Sequence, residues 1–471
     1  MSALKKRIKH PVLEKLKVEN IGAEGKAIAK HNGLIVFTTN LVPGDVADIK
    51  IRSKHKNYMQ GYPVKIHKYS TKRITPFCDH FGVCGGCKWQ QLQYEEQLRY
   101  KHQHVIENLK RIGKTDLPEI NSIIPSGKQI NYRNKLEFAF SDNRWFTDKE
   151  IRSDSKNLSR KALGFHIQEM FNRVLDIKKC YLQEEPSNDI RNAVRDYALE
   201  NQLDFFNHKK KEGFLRNLIL RNTSTGEWMI IFSFYKEEKE VISGLLRYIS
   251  QEFPEITSIL YVINPKGNDT INDLSLRLYK GRNYITEEIG DYKFKIGPKS
   301  FFQPNTALTG TLYKIVSEFS GLTGDEIVYD LYTGIGTIAN FISGYCRKVI
   351  GIDYIPEAIE DAKENSRINN ISNTEFISGD VIDIFTEQLV MQKGHPDVII
   401  VDPPRSGMHK KVINKLLTLK PVKIVYVSCN TATQARDINL LSVNYRISKI
   451  QPVDMFPHTH HIENIMLLET L

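Results

Sequence analysis

The chain has 471 residues, 41% of them hydrophobic, and 18 Pro, a globular composition on a length that exceeds the usual span of one hydrophobic core, so two or three domains are expected. Its 66 Lys and Arg against 55 Asp and Glu leave a net charge of +11, which points to a polyanionic partner such as nucleic acid. No run approaches the roughly 18 uninterrupted apolar residues of a membrane span, and the basic start MSALKKRIKH lacks a signal-peptide core, so the chain reads as cytoplasmic, without membrane attachment and with no obligate protein partner implied.

From about residue 12 to 68, short β-like runs alternate with turns. In GKAIAKHNGLIVFTTNLVPGDVADIKI, HNG separates two strand candidates and VPGD precedes the next. This pattern predicts a small β-barrel filling residues 1–68. Basic runs at its borders, LKKRIKH and RSKHKNY, suit a surface that touches phosphate, although a solvated barrel would carry the same composition.

Six cysteines, Cys78, Cys84, Cys87, Cys180, Cys346 and Cys429, are too few and too uneven for a disulfide framework. The first three form CDHFGVCGGC, a C-x5-C-x2-C segment whose glycines let the backbone wrap a ligand. With Cys180 in DIKKCYLQ they make four thiolates, enough for a tetrahedral zinc or an iron–sulfur cluster, and spacing does not choose between them. It does differ from the C-x3-C-x2-C of radical chemistry. A helical stretch, QQLQYEEQLRYKHQHVIENLKRIG, follows. Strand-like NKLEFAFS, EWMIIFSFY and TSILYVINP then mix with helical segments and basic loops such as NHKKKEG, so residues 69–292 read as an α+β domain.

From residue 293 to 471 the pattern becomes regular: EIVYDLYTGIGTIANFIS, KVIGIDYIPEAIEDAKENS, TEFISGD, PDVIIVDPPRSG and KIVYVSCN each place a β-branched run before a turn or helix. Alternation of this kind predicts a parallel, doubly wound sheet that binds its ligand beyond the strands' carboxyl ends. Gly334 and Gly336 let the first loop turn tightly against a ligand at a helix start. About 17 residues on, Asp353 ends the second strand, where a carboxylate can accept ribose hydroxyls. Asp380 follows the third strand, placed to meet an adenine amino group. The spacing GIGTIA also fits a dinucleotide dehydrogenase, but an acidic Asp330 before the loop disfavours a pyrophosphate and favours a cationic cofactor, which S-adenosylmethionine (SAM) is.

Two strand ends remain. Asp402 and Arg405 stand on a turn stiffened by Pro403 and Pro404, and Cys429 ends the neighbouring strand where polar loop residues begin. Glu463 precedes a final apolar strand. A pyrimidine C5 becomes nucleophilic once a thiolate adds at C6, and a base must then take the C5 proton for the thiol to leave. Cys429 and Glu463 offer those two roles. His458, His460 and His461 lack a second group of ligands for a metal and read as loop histidines that orient Glu463.

SFFQPN (300–305), YDLYTGIG, GIDY, DPPRSG, VSCN and HHIEN, in this order, resemble the SAM-dependent RNA uracil-C5 methyltransferases, and most of all the iron–sulfur branch acting on 23S ribosomal RNA. The resemblance implies a multidomain α/β protein: an OB-like barrel of the TRAM type, a central α+β domain holding a 4Fe-4S cluster on Cys78, Cys84, Cys87 and Cys180, and a Rossmann-like class I methyltransferase domain. It implies that Gln303, Tyr332, Thr337, Asp353, Asp380 and Asp402 contact or frame SAM and the target base, with Cys429 as nucleophile and Glu463 as base. Two positions depart from the pattern, Thr333 where Cys is common and Thr337 where Asn is common. NYRNKLEF, from Asn131, resembles a segment near the RNA. Barrel plus cluster plus catalytic domain implies 23S rRNA as partner, presenting a flipped-out uridine, because tRNA-acting relatives are expected to align only with the later domains. A tRNA T-loop or dual-site rRNA enzyme, and a non-catalytic cluster-containing RNA-binding protein, are the alternatives; intact Cys429, Glu463 and Asp402 disfavour the last.

Overall fold

In the computed structural model, residues 11–153, 158–168 and 170–471 are described. The LKKRIKH run at 4–10 lies outside them. The chain divides into two compact units, Met1–His104 with Phe456–His460, and Val105–Met455 with His461–Leu471.

The first unit contains the expected barrel. Strands β1 (Val12–Ile21), β2 (Ala27–His31), β3 (Leu34–Thr38), β4 (Val46–Lys54) and β5 (Tyr58–Lys68) close in the order β1-β2-β3-β5-β4. HNG makes the β2–β3 turn, with Asn32 and Gly33 at φ 48° and 77°, the paired positive dihedrals that a tight hairpin demands. Small Ala27, Ala29 and Ala47 alternate inward with Val36, Ile49 and Met59, so large side chains fill the interior of a narrow barrel. Buried Asp45 accepts the Arg73 fork and the Val42 and Ser70 N–H groups, which fixes the chain as it leaves the barrel. A second core of Val42, Trp89, Leu92 and Tyr100 lies beside it.

The second unit holds two sheets. Strands β6 (Lys135–Ser141), β7 (Arg144–Trp145), β8 (Ala162–Ile167), β9 (Met170–Asp176), β10 (Leu215–Asn222), β11 (Trp228–Phe234), β12 (Ser258–Ile263) and β13 (Arg277–Gly281) form one mixed sheet ordered β13-β12-β11-β10-β6-β8-β9-β7. A hairpin, β14 (Ile285–Ile289) and β15 (Tyr292–Ile296), leads to the other sheet. That sheet comprises β16 (Ile327–Leu331), β17 (Lys348–Asp353), β18 (Thr374–Ser378), β19 (Val398–Val401), β20 (Lys423–Ser428), β21 (Tyr445–Val453) and β22 (Glu463–Thr470), ordered β18-β17-β16-β19-β20-β22-β21.

Strands β16 and β19 are buried along their whole length, as β-branched runs covered on both faces should be. The five strands from β18 to β20 are parallel, as expected. Strand β22 is not: it inserts antiparallel between β20 and β21, which run in the same sense as each other. The loop after β21 is too short for a crossover helix, so the chain returns in the opposite sense. Strand order reverses between β16 and β19, and the crevice beyond that point is where a doubly wound sheet binds its ligand. Among the described residues no helix is long and apolar enough to cross a membrane.

Candidate active site at the carboxyl ends of the parallel strands

The loop after β16 is held open by backbone geometry. Tyr332, Gly334 and Gly336 have φ of 69°, 56° and 73°, and the N–H groups of Tyr332 and Thr333 both donate to the Ile352 carbonyl of β17, at 2.9 and 3.0 Å. A Cβ on Gly336 would stand 2.9 Å from Phe376 and 3.0 Å from Ala362, so only glycine fits. Asp353 answers the loop from the next strand: one carboxylate oxygen accepts the Gly334 N–H and the other the Ile355 N–H, each at 2.9 Å. Thr337 accepts the Tyr313 hydroxyl at 2.7 Å. Asp380, exposed after β18, accepts the Ile382 N–H at 2.8 Å with Oδ1. Burial, together with the charges of Asp380 and Asp437, pushes the Tyr332 phenol up to about 12.

Beneath this loop sit two carboxyls that burial disfavours as anions. Asp330 is pushed up to about 7 by burial, although the Thr333 hydroxyl donates to its Oδ2 at 2.6 Å, and its Oδ1 is buried without a partner. Asp402, at the end of β19, is also pushed up to about 7, by burial first and by the charge of Asp330 second. Gln303, 4% exposed, donates from Nε2 to Asp402 Oδ2 at 3.3 Å. Its carbonyl is gripped by Asn134 Nδ2 at 2.8 Å, so the NYRNKLEF and SFFQPN segments meet here.

Cys429 begins where β20 ends and is partly exposed. Burial pushes its thiol up to about 11, and the charges of Glu463 and Asp402 push the same way; the Arg405 guanidinium, which hydrogen-bonds the sulfur, opposes them. Arg405 is set in place by its carbonyl, which accepts Asn430 Nδ2 at 2.9 Å and Thr433 Oγ1 at 3.2 Å. Glu463 opens β22 at 4% exposure, with Oε2 buried and unpartnered. Its pKa lies well above the ordinary carboxylate range because of burial and Asp402, again opposed by Arg405.

The structure therefore brings Cys429, Glu463, Asp402 and Gln303 to one place and sets Tyr332, Gly334, Gly336, Thr337, Asp353 and Asp380 along the strand ends beside it. Sequence reasoning missed Gln434, whose Nε2 donates to the Tyr426 and Asn464 carbonyls while Asn464 Nδ2 donates to its Oε1 at 2.8 Å. No motif marks it. His458 and His460 belong to the first unit, where the Gln97 side chain accepts the His458 N–H at 2.9 Å. Cys78, Cys84 and Cys87 also lie in the first unit, and Cys180 in the second. The Gly86 N–H donates to the Cys84 sulfur at 3.4 Å. The first unit also carries a cavity of about 710 Å³ lined by Lys17, Lys68, Lys72, Arg99, Tyr69 and Tyr100, among others.

Comparison with known proteins bears on this site. The sequence model of the tRNA (uracil-5-)-methyltransferase family matches residues 275–471. An uncharacterized RNA methyltransferase of Bacteroides thetaiotaomicron is 55% identical over 452 residues, 95% of this chain and 100% of its own. Another from Porphyromonas gingivalis is 49% identical, over 96% of this chain and 99% of its own. The chain belongs to the RNA uracil-5-methyltransferase family. It is a SAM-dependent RNA methyltransferase.

The crystal structure of a Pyrococcus abyssi tRNA (uracil-54, C5)-methyltransferase in complex with S-adenosyl-L-homocysteine superposes with a TM-score of 0.75 at 29% identity, covering 96% of this chain and 99% of that one. A tRNA enzyme thus matches nearly the whole methyltransferase, barrel region included. The expectation that tRNA-acting relatives align only with the later domains does not hold, and domain composition does not separate the two RNA classes.

Proposed function

We propose that the protein methylates C5 of one uridine in 23S rRNA to give 5-methyluridine, through a covalent Cys429 adduct. The observation that carries the chemistry of this reading is the convergence of Cys429, Glu463, Asp402 and Arg405 at the ends of β19, β20 and β22, while the choice of 23S rRNA rests on the sequence resemblance to the iron–sulfur branch. A thiolate from Cys429 adds to C6 of a flipped-out uracil, and the electron pair of the broken C5–C6 double bond makes C5 a nucleophile. After C5 is methylated, Glu463 takes its proton and the C6–S bond breaks, regenerating the uracil ring and the thiolate. A carboxyl whose pKa is raised by burial is a stronger base once ionised, which suits Glu463. Arg405 favours the thiolate.

SAM supplies, when bound, an electrophilic methyl on a cationic sulfonium. The fit of the residues to it rests on charge: Asp330 and Asp402 are buried carboxyls, and no cation is paired with either among the described residues. Asp353 and Asp380 offer acceptors to its ribose and adenine, and Gln303, Tyr332, Gly334, Gly336 and Thr337 frame the crevice.

The 4Fe-4S assignment to Cys78, Cys84, Cys87 and Cys180 rests on spacing and resemblance, supported by the Gly86 N–H turned to sulfur, a contact of the kind that tunes iron–sulfur ligands. The thiolate reaction has no redox step and asks no electron of the cluster, whose role in this reading is to shape the protein. The barrel, proposed as a TRAM module, suits RNA through its basic and aromatic cavity.

A tRNA T-loop uridine is the second reading, favoured by the full-length likeness to the uracil-54 enzyme. The test uses anaerobically purified protein, radiolabelled SAM, and unmodified 23S rRNA beside unmodified tRNA, followed by nucleoside analysis. Labelled 5-methyluridine in rRNA alone is expected; label in tRNA alone overturns the substrate, and label in neither, from protein that binds SAM, overturns the activity.

A further inference from the structure

The central sheet carries a cluster that the methyl-transfer reading does not use. His166 lies on β8, His208 in the basic loop NHKKKEG before β10, and Asp269 in the loop between β12 and β13. One ligand atom from each lies within 4.8 Å of the other two. The spacing along the chain carries no metal motif, so only the fold reveals the group.

Each side chain is oriented for ligation. His208 Nε2 donates to the Phe140 carbonyl at 3.0 Å, which fixes the tautomer and leaves the Nδ1 lone pair for another partner. His166 Nδ1 is buried with no hydrogen-bond partner. Asp269 Oδ1 accepts Arg216 Nη2 at 2.8 Å, so an outer contact aims the carboxylate while Oδ2 remains. The two imidazoles meet edge to face at 4.8 Å between centroids.

Charge has to be weighed. Arg216 places one positive group beside the cluster and weakens it for any cation. Against it stand two carboxylates, since Glu137 lies close enough to Asp269 for their charges to repel. Lys135 acts on Glu137 in turn, so two cations, Arg216 and Lys135, face two carboxylates and the balance without a metal is near neutral; mixed nitrogen and oxygen donors suit zinc better than calcium or magnesium, which take oxygen alone.

We propose that His166, His208 and Asp269 form a divalent transition-metal site, with Zn²⁺ the fitting ion, that staples the 207–213 and 264–274 loops to the central sheet. Ligand atoms around one zinc lie roughly 3–4 Å apart, given bonds of about 2 Å, so the side chains close by on the order of 1 Å when it binds. The staple fixes Lys209, Lys210 and Lys211, which extend from the His208 loop.

The test titrates anaerobically purified full-length protein with Co²⁺ as a spectroscopic probe and displaces it with Zn²⁺. One equivalent with nitrogen/oxygen d–d absorption and no thiolate-to-cobalt charge transfer is expected, which separates this site from the cysteines. His166→Asn and His208→Asn should each weaken binding roughly tenfold or more, by analogy with loss of metal-site support, while Cys84→Ser leaves it unchanged. Zn²⁺ should raise the unfolding temperature of the wild type and not of His208→Asn. Absence of any such Co²⁺ spectrum in the wild type overturns the site, whatever the variants do, and so does a spectrum that survives both histidine substitutions in folded protein.

Discussion

Ser428 and Asn464 are register partners across the antiparallel pair β20–β22, and the residues just beyond them, Cys429 and Glu463, are the proposed nucleophile and base. In an antiparallel pair, moving one residue forward on one strand and one back on the other keeps the two opposite each other. The inserted last strand is what sets Glu463 opposite the cysteine. Gln434 bolts the arrangement by bonding both Tyr426 and Asn464.

Glu463→Gln separates the two proposed roles. The carboxylate charge is one cause of the raised Cys429 pKa, so its removal makes the thiolate easier to form, while the amide cannot take the C5 proton. Covalent protein–RNA adduct should accumulate on denaturing gels with turnover falling at least about a hundredfold, the scale of a lost general base. Cys429→Ala should form no adduct. Normal turnover by Glu463→Gln would remove Glu463 from the reaction.

The pair Asp330 and Asp402 sets a pH dependence for cofactor binding. Burial pushes both carboxyls up to about 7, with the charge of Asp330 adding to the push on Asp402, and a cationic ligand favours their ionised forms. SAM binding below pH 7 should therefore release protons, and affinity should rise between pH 6 and 8. Calorimetry in buffers of different ionisation enthalpy reads the release directly. For the free protein the sign is the reverse of a salt-bridged carboxylate: the folded state holds protons that the unfolded chain has lost above its ordinary value of about 4, so stability falls as pH rises from there to 7. A melting temperature that climbs through that window would show the two carboxyls are not perturbed as described.

Much of this was legible in the sequence because strand ends are local. β-Branched runs followed by Gly334, Asp353, Asp402 and Cys429 announce both the sheet and the crevice above it, and HNG announces a barrel hairpin. What was not legible depends on pairing between distant segments. The sense of β22 follows from a connection too short for a crossover, and Gln434 carries no motif because its partners are backbone groups. The repulsion among Asp330, Asp402 and Glu463 exists only once three strand ends meet. His166 comes from a strand of the central sheet and His208 and Asp269 from two separate connections, and no spacing rule links them. His458 and His460 fall in the first compact unit and His461 in the second with Glu463, a division that adjacency along the chain does not reveal.

Gly336 tests the geometry of the cofactor loop. At φ 73° a side chain is strained, and its Cβ would press on Phe376 and Ala362. Gly336→Ala should cost about 1–3 kcal/mol of stability, the scale of an incompatible backbone site combined with overpacking. SAM affinity should fall by more than stability explains, because Gly334 and its bond to Asp353 share the loop. Gly33→Ala is the control: its φ is also positive, but nothing lies within 4 Å of the added carbon, so it should lose only a fraction of that stability and no SAM affinity. Denaturant titration and calorimetry on both variants decide the matter.

The barrel cavity gives the last prediction. Lys72 and Arg99 are already paired with Glu96, so their charge is partly spent, whereas Lys17 and Lys68 are exposed at the rim of the same cavity near Tyr69, which is 65% exposed. Exposed lysines beside an aromatic face suit a single-stranded segment, whose phosphates take the charge and whose bases stack. Replacing both Lys17 and Lys68 by Ala should weaken RNA binding and flatten the dependence of log affinity on log salt by roughly 1.4, at about 0.7 for each phosphate contact on a single strand. Tyr69→Ala should weaken binding by about 1–3 kcal/mol with the salt slope unchanged, since stacking releases no counterions. Single-turnover methylation at saturating RNA should be unaltered in all three positions, because none of them lies among the residues proposed to do the chemistry. An unchanged salt slope in the double variant would show that RNA does not run through this cavity.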